Sequence, residues 1–225
     1  MEDIIIREAR PEDYKSFRKM EEKVWANSDV PVLSEEMFLA WIDVFPQGFM
    51  LAIKDGEVVG HIYAQVCDFD PKDETDERNL YEMTDNMWTR KTHNPNGNCI
   101  YSFSINSIHM GAAQKLNWYF IKLVEKLNKD YYGGPVRMPG LGEYMKKMQR
   151  KRLTKKFVKE YAQYAHDTIK GLRKEEPLVY DMVLTPLFKL PVAKFGKIIK
   201  NFFPYAKGAE RWACVVYCDN LKYIK

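Results

Sequence analysis

The feature that constrains this chain most is a pair of β-rich runs separated by a two-residue turn signal. Residues 49–54 and 57–66 are rich in β-branched, aromatic and other apolar residues, and Asp55-Gly56 stands between them. Asp-Gly favours a type I′ turn, because both central residues of that turn need a positive φ. The pattern predicts an antiparallel β-hairpin at this point of the chain.

A strand and two helices are predicted before the hairpin. A β-branched run at residues 3–7 precedes apolar residues at helical spacing over residues 17–25. Ser34-Glu35-Glu36 has the signature of a helix N-cap with acidic residues in the first turn, and Pro46-Gln47-Gly48 ends that helix. Residues 1–67 therefore predict the order β-α-α-β-β.

After the hairpin the chain leaves the core and returns. Residues 68–98 carry eight acidic residues and little periodicity, so we expect an excursion. Residues 99–105 alternate as a strand, and Gly111-Ala112-Ala113 opens an amphipathic helix. Gly133-Gly134-Pro135 is expected to end that helix, and residues 136–138 to form a short strand.

The last third of the chain is basic and then β-rich. Residues 144–174 form a predicted helical stretch with eleven Lys or Arg and two acids. Glu176-Pro177 is expected to start a helix that carries Tyr180 and continues to about Leu187. Residues 197–203 and 211–219 are predicted as closing strands.

Composition bounds the class of protein. A hydrophobic content of 46% allows a buried core and excludes a wholly disordered chain. Uninterrupted apolar runs are far shorter than the ~20 residues that span a bilayer, and the N-terminus is acidic where a secretory signal is basic. The four cysteines form no C-x-x-C pair, and no metal site is predicted. We expect a cytoplasmic protein with one domain over residues 1–225, an acidic insertion at about 68–98 and a basic helical insertion at about 141–175.

Charge is distributed unevenly. Residues 1–100 carry 21 acidic and 11 basic residues, whereas residues 101–225 carry 10 acidic and 24 basic ones. One interpretation is that the basic half binds an anionic ligand. A solvated helical face is the other, because charge runs on helices usually face solvent.

Four stretches of sequence resemble motifs of one superfamily. The opening I-I-R-E-A-R-P-E-D of residues 5–13 is similar to an I-R-x-A-x-x-x-D start. Residues 49–60 are similar to a second and third strand joined by D-G-E, and residues 105–113 take the place of an acetyl-CoA loop. Residues 135–140, P-V-R-M-P-G, resemble a motif of larger members. With the element order, they resemble the GCN5-related N-acetyltransferase (GNAT) superfamily, which implies an α/β fold with a mixed sheet and helices on both faces.

The resemblance implies acetyl-CoA as cofactor. A helix N-terminus presents free N–H groups and partial positive charge, so small residues there allow a pyrophosphate to approach closely. The implied phosphate turn is Met110, Gly111, Ala112 and Ala113. The backbone of Ser104, Ile105 and Asn106 would pair with the pantetheine, one N–H also holding the acetyl carbonyl.

The resemblance also implies acetyl transfer to a primary amine by direct attack. Tyr180 is the implied proton donor to the departing thiolate, and Asn106 the second implied catalytic residue. Glu21, Glu22 and His109 are candidate bases. For Tyr180 the other interpretation is a core tyrosine, and for the candidate bases a solvated face or loop.

Two further functions stay open. Ile108 stands where the superfamily has Gln or Arg. One alternative is therefore a non-catalytic acyl-CoA-binding domain that contacts RNA or a protein through the basic half. A purely RNA-binding module is the other, although no RRM or KH signature is present. The expected acceptor is a small-molecule or peptide amine; no membrane partner is expected, nucleic acid is disfavoured, and a homodimer is compatible with the sequence.

Overall fold

The computed structural model describes residues 4–26, 30, 32–173 and 179–223. The chain forms two compact units, the first comprising Met1–Phe69, Tyr81–Tyr132 and Asn220–Lys225 and the second Asp70–Leu80 and Gly133–Asp219. The strands are β1 (Ile5–Glu8), β2 (Phe49–Lys54), β3 (Glu57–Cys67), β4 (Cys99–Ser107), β5 (Tyr131–Val136), β6 (Lys194–Ile199) and β7 (Ala213–Asp219). The α-helices are α1 (Tyr14–Val24), α2 (Glu35–Val44), α3 (Leu80–Thr84), α4 (Ala112–Lys126), α5 (Leu141–Lys147), α6 (Lys155–Ile169) and α7 (Leu184–Phe188).

The first unit is built on antiparallel strands in the order β1-β2-β3-β4. Asp55 and Gly56 have φ values of 52° and 77°, as a type I′ turn requires, so the predicted hairpin is confirmed. The pairing of β3 with β4 shifts register between Tyr63 and Ala64. Such an irregularity changes the direction in which nearby side chains point.

Helices pack on both faces of these strands. Successive side chains of a strand point to opposite faces of the sheet. The contacts of the neighbouring β3 residues Gly60 and His61 therefore show which helix lies on each face. The ring of His61 lies 4.9 Å from that of Phe17 in α1. A Cβ placed on Gly60 would lie 3.4 Å from the Cβ of Ala112 in α4. The predicted α/β fold with helices on both faces is therefore confirmed.

An aromatic layer holds α1 and α2 against one of these faces. The helix α2 begins as predicted, because the Ser34 hydroxyl accepts a 3.2 Å hydrogen bond from the Met37 N–H. Its Trp41 stacks on Tyr63 of β3 with ring centroids 4.2 Å apart. Aromatic pairs of this kind contribute about 0.5–1.5 kcal/mol beyond their buried area. The layer thus fixes the face of β3 on which His61 lies.

The second unit contains strands in the order β5-β7-β6, and β6 pairs antiparallel with β7. The expectation of a strand at residues 136–138 is wrong. The strand β5 runs over Tyr131–Val136 and includes the glycines that were expected to end the preceding helix, which itself ends at Lys126. A Cβ on Gly133 would lie 2.4 Å from the Val216 carbonyl oxygen, so close strand packing requires a glycine there.

The basic stretch forms two helices, α5 and α6. Thr154 caps α6 by accepting the Phe157 N–H at 3.2 Å. The Glu74 carboxylate lies 2.6 Å from Lys159 Nζ and 3.5 Å from Lys155 Nζ. An acidic segment of the chain therefore pairs with part of the basic stretch.

The predicted helix around Tyr180 is not formed. The expected start, Glu176-Pro177, lies outside the described residues, and α7 begins only at Leu184. The Asp181 carboxylate accepts the N–H groups of Val183 and Leu184, a local turn that starts the helix after it. Within the described part of the chain, no helix has the length and hydropathy needed to cross a bilayer.

Candidate active site

The start of α4 is an open backbone turn. Gly111 is the N-cap with a φ of 87°, and a Cβ added to it would meet no atom within 4 Å. Met110 beside it is 94% exposed. The first N–H groups of a helix point outward at such a turn, so an anionic group can approach them. The start of α4 therefore leaves room for an anionic group at Gly111.

His109, a candidate base, is engaged by its neighbours. Its Nε2 lies 3.2 Å from Lys54 Nζ and its Nδ1 lies 2.8 Å from the Met110 carbonyl oxygen. A lysine ammonium only donates, so Nε2 accepts and Nδ1–H donates to the carbonyl. The ring lone pair is thus occupied, and Lys54 adds a cation beside the turn.

Glu21, a second candidate base, is buried at the end of α1. Its side chain packs against the sheet, and only 5% of the residue's surface is exposed. One carboxylate oxygen, Oε1, accepts a 2.6 Å hydrogen bond from Asn106 Nδ2, and Oε2 accepts from Trp25 Nε1 at 3.2 Å. Glu22 instead faces solvent and pairs with Arg18 at 2.9 Å. The structure therefore brings Glu21, but not Glu22, to the predicted residue Asn106.

His61 is the residue that sequence reasoning missed. It is fully buried on β3, and burial lowers the pKa of its imidazole, while the Glu21 carboxylate opposes that shift. Its Nε2 lies 2.9 Å from Ser104 Oγ, and its Nδ1 lies 3.4 Å from Glu21 Oε1 without a hydrogen bond. The signal in the sequence is a histidine inside a mostly apolar strand.

Glu21, His61, Ser104 and Asn106 form one group of polar side chains, called the Glu21 cluster below. Asn106 pairs with His61 in the β3–β4 register, and Ser104 pairs with Tyr63. Both β4 residues are half-buried, whereas Glu21 and His61 are buried. The cluster combines a carboxylate, a neutral imidazole and a hydroxyl, which are groups that can accept and relay a proton.

Tyr180, the predicted proton donor, belongs to the second unit. Its side chain is 69% exposed and lies outside any helix. Its role, like those of Ser104, Ile105, Asn106 and the turn at Met110–Ala113, stays a prediction. No group of three or more His, Cys, Asp or Glu side chains in the described ranges could hold a metal ion.

No known protein-family profile matches the chain. Among curated proteins, it is 24% identical over 152 residues to a protein of Bacillus subtilis (strain 168) named uncharacterized N-acetyltransferase YkwB. The match covers 65% of this chain and 60% of YkwB. The matched region thus spans less than two thirds of that relative.

Solved structures show the same fold. The GphF GNAT-like decarboxylase in complex with isobutyryl-CoA superposes with a TM-score of 0.70 and 21% identity, covering 96% of this chain and 99% of that one. The loading GNATL domain of CurA from Lyngbya majuscula gives 0.69 and 16%, covering 98% and 99%. Naa20 of Chaetomium thermophilum, in complex with a bisubstrate analogue, gives 0.54 and 11%, covering 97% and 90%.

Proposed function

The chain has the fold of the GCN5-related N-acetyltransferase superfamily, and on that premise we propose that it is an acyl-CoA-dependent N-acyltransferase. The proposed reaction moves an acetyl group from acetyl-CoA to a primary amine by direct attack. The observation that carries the proposal is the buried Glu21 carboxylate, 2.6 Å from Asn106 on β4. A direct attack needs a base close to the thioester, and a buried carboxylate on this face can be that base.

The cofactor end of the proposal rests on α4. Gly111 leaves open space at the helix start, where N–H groups favour a pyrophosphate. The backbone of Ser104, Ile105 and Asn106 would align the pantetheine. Sinorhizobium meliloti phosphinothricin acetyltransferase, a structure with AcCoA that matches at a TM-score of 0.50, supports acetyl-CoA, and GphF supports CoA thioesters more generally.

Proton transfer divides between two residues in this proposal. When bound, acetyl-CoA supplies an activated thioester. Glu21 accepts the proton that the attacking amine loses, and Tyr180 donates one to the departing sulfur. A tyrosine hydroxyl has a reference pKa near 10, within about two units of a thiol. Tyr180→Phe should lower kcat by about 10²-fold at unchanged CoA affinity, and an unchanged kcat would leave water as the donor.

The proposed acceptor is a primary amine on a small molecule or a peptide. Both kinds occur among the matched structures, since the ribosomal-protein-S18-alanine N-acetyltransferase of Escherichia coli acts on a protein and the phosphinothricin enzyme on a small molecule. We also propose a cytoplasmic location and a homodimer. The buried Glu21 carboxylate also disfavours an acyl group that carries its own carboxylate, because like charges repel.

Calorimetry of CoA binding tests the proposed function. Gly111→Glu places volume and negative charge at the pyrophosphate position and should remove measurable binding. Gly142→Glu in α5 is the matched control, because a Cβ there also meets nothing within 4 Å, and Gly111→Ala separates charge from the strain of a side chain at positive φ. Unchanged affinity in folded Gly111→Glu would contradict the proposal.

Turnover distinguishes the alternatives. Acetyl-CoA consumed with a panel of amines and peptides supports the N-acyltransferase. CoA binding without turnover selects the non-catalytic acyl-CoA-binding domain. Release of CO₂ from malonyl-CoA would instead select a decarboxylase, the activity in the name of GphF.

A further inference from the structure

In the Glu21 cluster, His61 lies between Ser104 and Glu21. Ser104 Oγ lies 2.9 Å from His61 Nε2, and His61 Nδ1 lies 3.4 Å from Glu21 Oε1. Nucleophile, base and carboxylate follow one another in the same order in the Ser-His-Asp group of serine hydrolases, although here the imidazole and the carboxylate are not hydrogen-bonded. The order is not required for direct attack by an amine, which needs only a base.

Electrostatics determine which nitrogen of His61 carries the proton. The pKa of the imidazole is lowered by burial, so the ring is neutral near pH 7 and has one N–H. A proton on Nε2 would leave the Nδ1 lone pair facing the carboxylate oxygens of Glu21, which is repulsive. A proton on Nδ1 is attracted to that carboxylate without a hydrogen bond to it, and Nε2 is then free to accept the Ser104 O–H. The favoured tautomer is therefore the one that makes His61 a base toward Ser104.

A purely structural role explains the arrangement poorly. His61 lies among the rings of Phe17 and Phe49, at 4.9 and 6.2 Å between centroids, where an apolar residue would pack without cost. Its Nδ1 forms no hydrogen bond, which is unfavourable for a buried polar atom. Ser104, in contrast, is only half-buried, so a substrate can reach its hydroxyl.

We propose that Ser104 is an acyl-accepting nucleophile and gives the protein a second activity, hydrolysis of acyl-CoA through an acyl-serine. This inference rests on the proposed function, because the pantetheine pairing along β4 is what places the thioester at Ser104. His61 is its general base, and Glu21 is the positioning residue whose negative charge, 3.4 Å from His61 Nδ1, favours a proton on that nitrogen.

The steps balance. Ser104 Oγ forms a bond to the thioester carbon while its proton moves to His61 Nε2. The carbon–sulfur bond then breaks, and the CoA thiolate takes that proton, which leaves an ester on Ser104. Water attacks the ester and gives a proton to His61, which returns it to Ser104 Oγ as the carboxylic acid leaves. The net reaction consumes one acyl-CoA and one water and releases one acid and one CoA.

Labelling by a fluorophosphonate probe tests the nucleophile without any acyl-CoA. Intact mass and peptide mapping should show one adduct on the peptide that contains Ser104. Ser104→Ala should lose it, and Ser102→Ala, a serine on the same strand, should keep it. His61→Gln should slow labelling by about 10²-fold or more, and circular dichroism of each variant establishes folding. Failure to label Ser104 in the wild-type protein would overturn the nucleophile.

Release of CoA from acetyl-CoA without an amine gives the second readout. We expect steady release that falls at least about 10²-fold in Ser104→Ala and is unchanged in Ser102→Ala. CoA binding is measured on the same samples, so the two proposals fail separately. Binding with neither labelling nor release overturns the acyl-serine and leaves the N-acyltransferase standing. Absence of CoA binding overturns both.

Discussion

Glu21 in the first unit and Asp181 in the second are both buried carboxylates, and their hydrogen-bond partners differ. In the second unit, Asp181 Oδ2 accepts the Gly140 N–H at 3.0 Å and the Tyr161 hydroxyl at 2.7 Å. Its Oδ1 accepts the N–H groups of Val183 and Leu184 at 2.9 and 2.8 Å. In the first unit, Glu21 accepts one hydrogen bond on each oxygen and faces an imidazole nitrogen that has none.

The difference in hydrogen bonding indicates a structural role for Asp181 and a catalytic role for Glu21. Four donors saturate Asp181, which joins the start of α5 to α6 and to the turn before α7. Burial of the Tyr161 hydroxyl, and then the charge of Asp181, raise the pKa of Tyr161. A saturated group has no capacity left for a substrate proton. Glu21 can still accept a further hydrogen bond, and it lies beside His61 and the half-buried Ser104. We therefore assign the role of catalytic base to Glu21.

The largest expected effect is on catalysis at Glu21. Glu21→Gln keeps the shape of the side chain but removes the base, so kcat for acyl transfer should fall between about 10²- and 10⁴-fold. CoA affinity, measured by calorimetry, should stay the same. The free energy of unfolding should fall by less than about 1 kcal/mol, because the Glu21 donors Asn106 and Trp25 are only half-buried and water can replace a lost hydrogen bond. Full kcat in this variant would show that Glu21 is as structural as Asp181.

The same carboxylate-to-amide change at Asp181 should act on stability. Asp181→Asn turns an amide NH₂ toward N–H and O–H donors that are buried with it, which leaves at least one of them unpaired. We expect the free energy of unfolding in urea to fall by about 1–3 kcal/mol. Equal losses in Asp181→Asn and Glu21→Gln would remove the contrast between the two clusters.

The smallest expected effect is on the pH dependence of stability. Burial lowers the pKa of His61 below its unfolded value of about 6.5. Below that pH the unfolded chain binds a proton that the folded chain does not. The free energy of unfolding therefore decreases as the pH is lowered, until the pH falls below the pKa of His61 in the folded state. His61→Gln should therefore lose less stability than wild type between pH ~7.5 and ~5.5, with His93, whose pKa is also lowered, unchanged in both. Equal slopes would place His61 in a less buried site.

Local signals explain why most of the first unit could be predicted. The Ser34 cap, the Asp55-Gly56 turn and the step from β4 to Gly111 all depend on residues next to one another in the sequence. Each was predicted because its physical cause lies within a few residues.

The remaining features depend on contacts between distant residues. Gly133 reads as the end of a helix, yet it is a glycine because the Val216 carbonyl lies against it. Tyr180 was expected in a helix, but Asp181 accepts the N–H groups that would have continued it. His61 meets Glu21 and Ser104 only after α1, β3 and β4 have packed, and the register shift opposite Phe103 has no local sequence signal.

A crystal structure with a non-hydrolysable acetyl-CoA analogue tests the central claim most directly. The claim is that the acyl group reacts at the Glu21 cluster, between Glu21 and Ser104. We predict the pyrophosphate at the N–H groups of Gly111 to Ala113 and the acyl carbonyl carbon within about 3.5 Å of Ser104 Oγ. An acyl group bound away from this cluster, with the contacts of Glu21, His61 and Ser104 unchanged, would contradict the account.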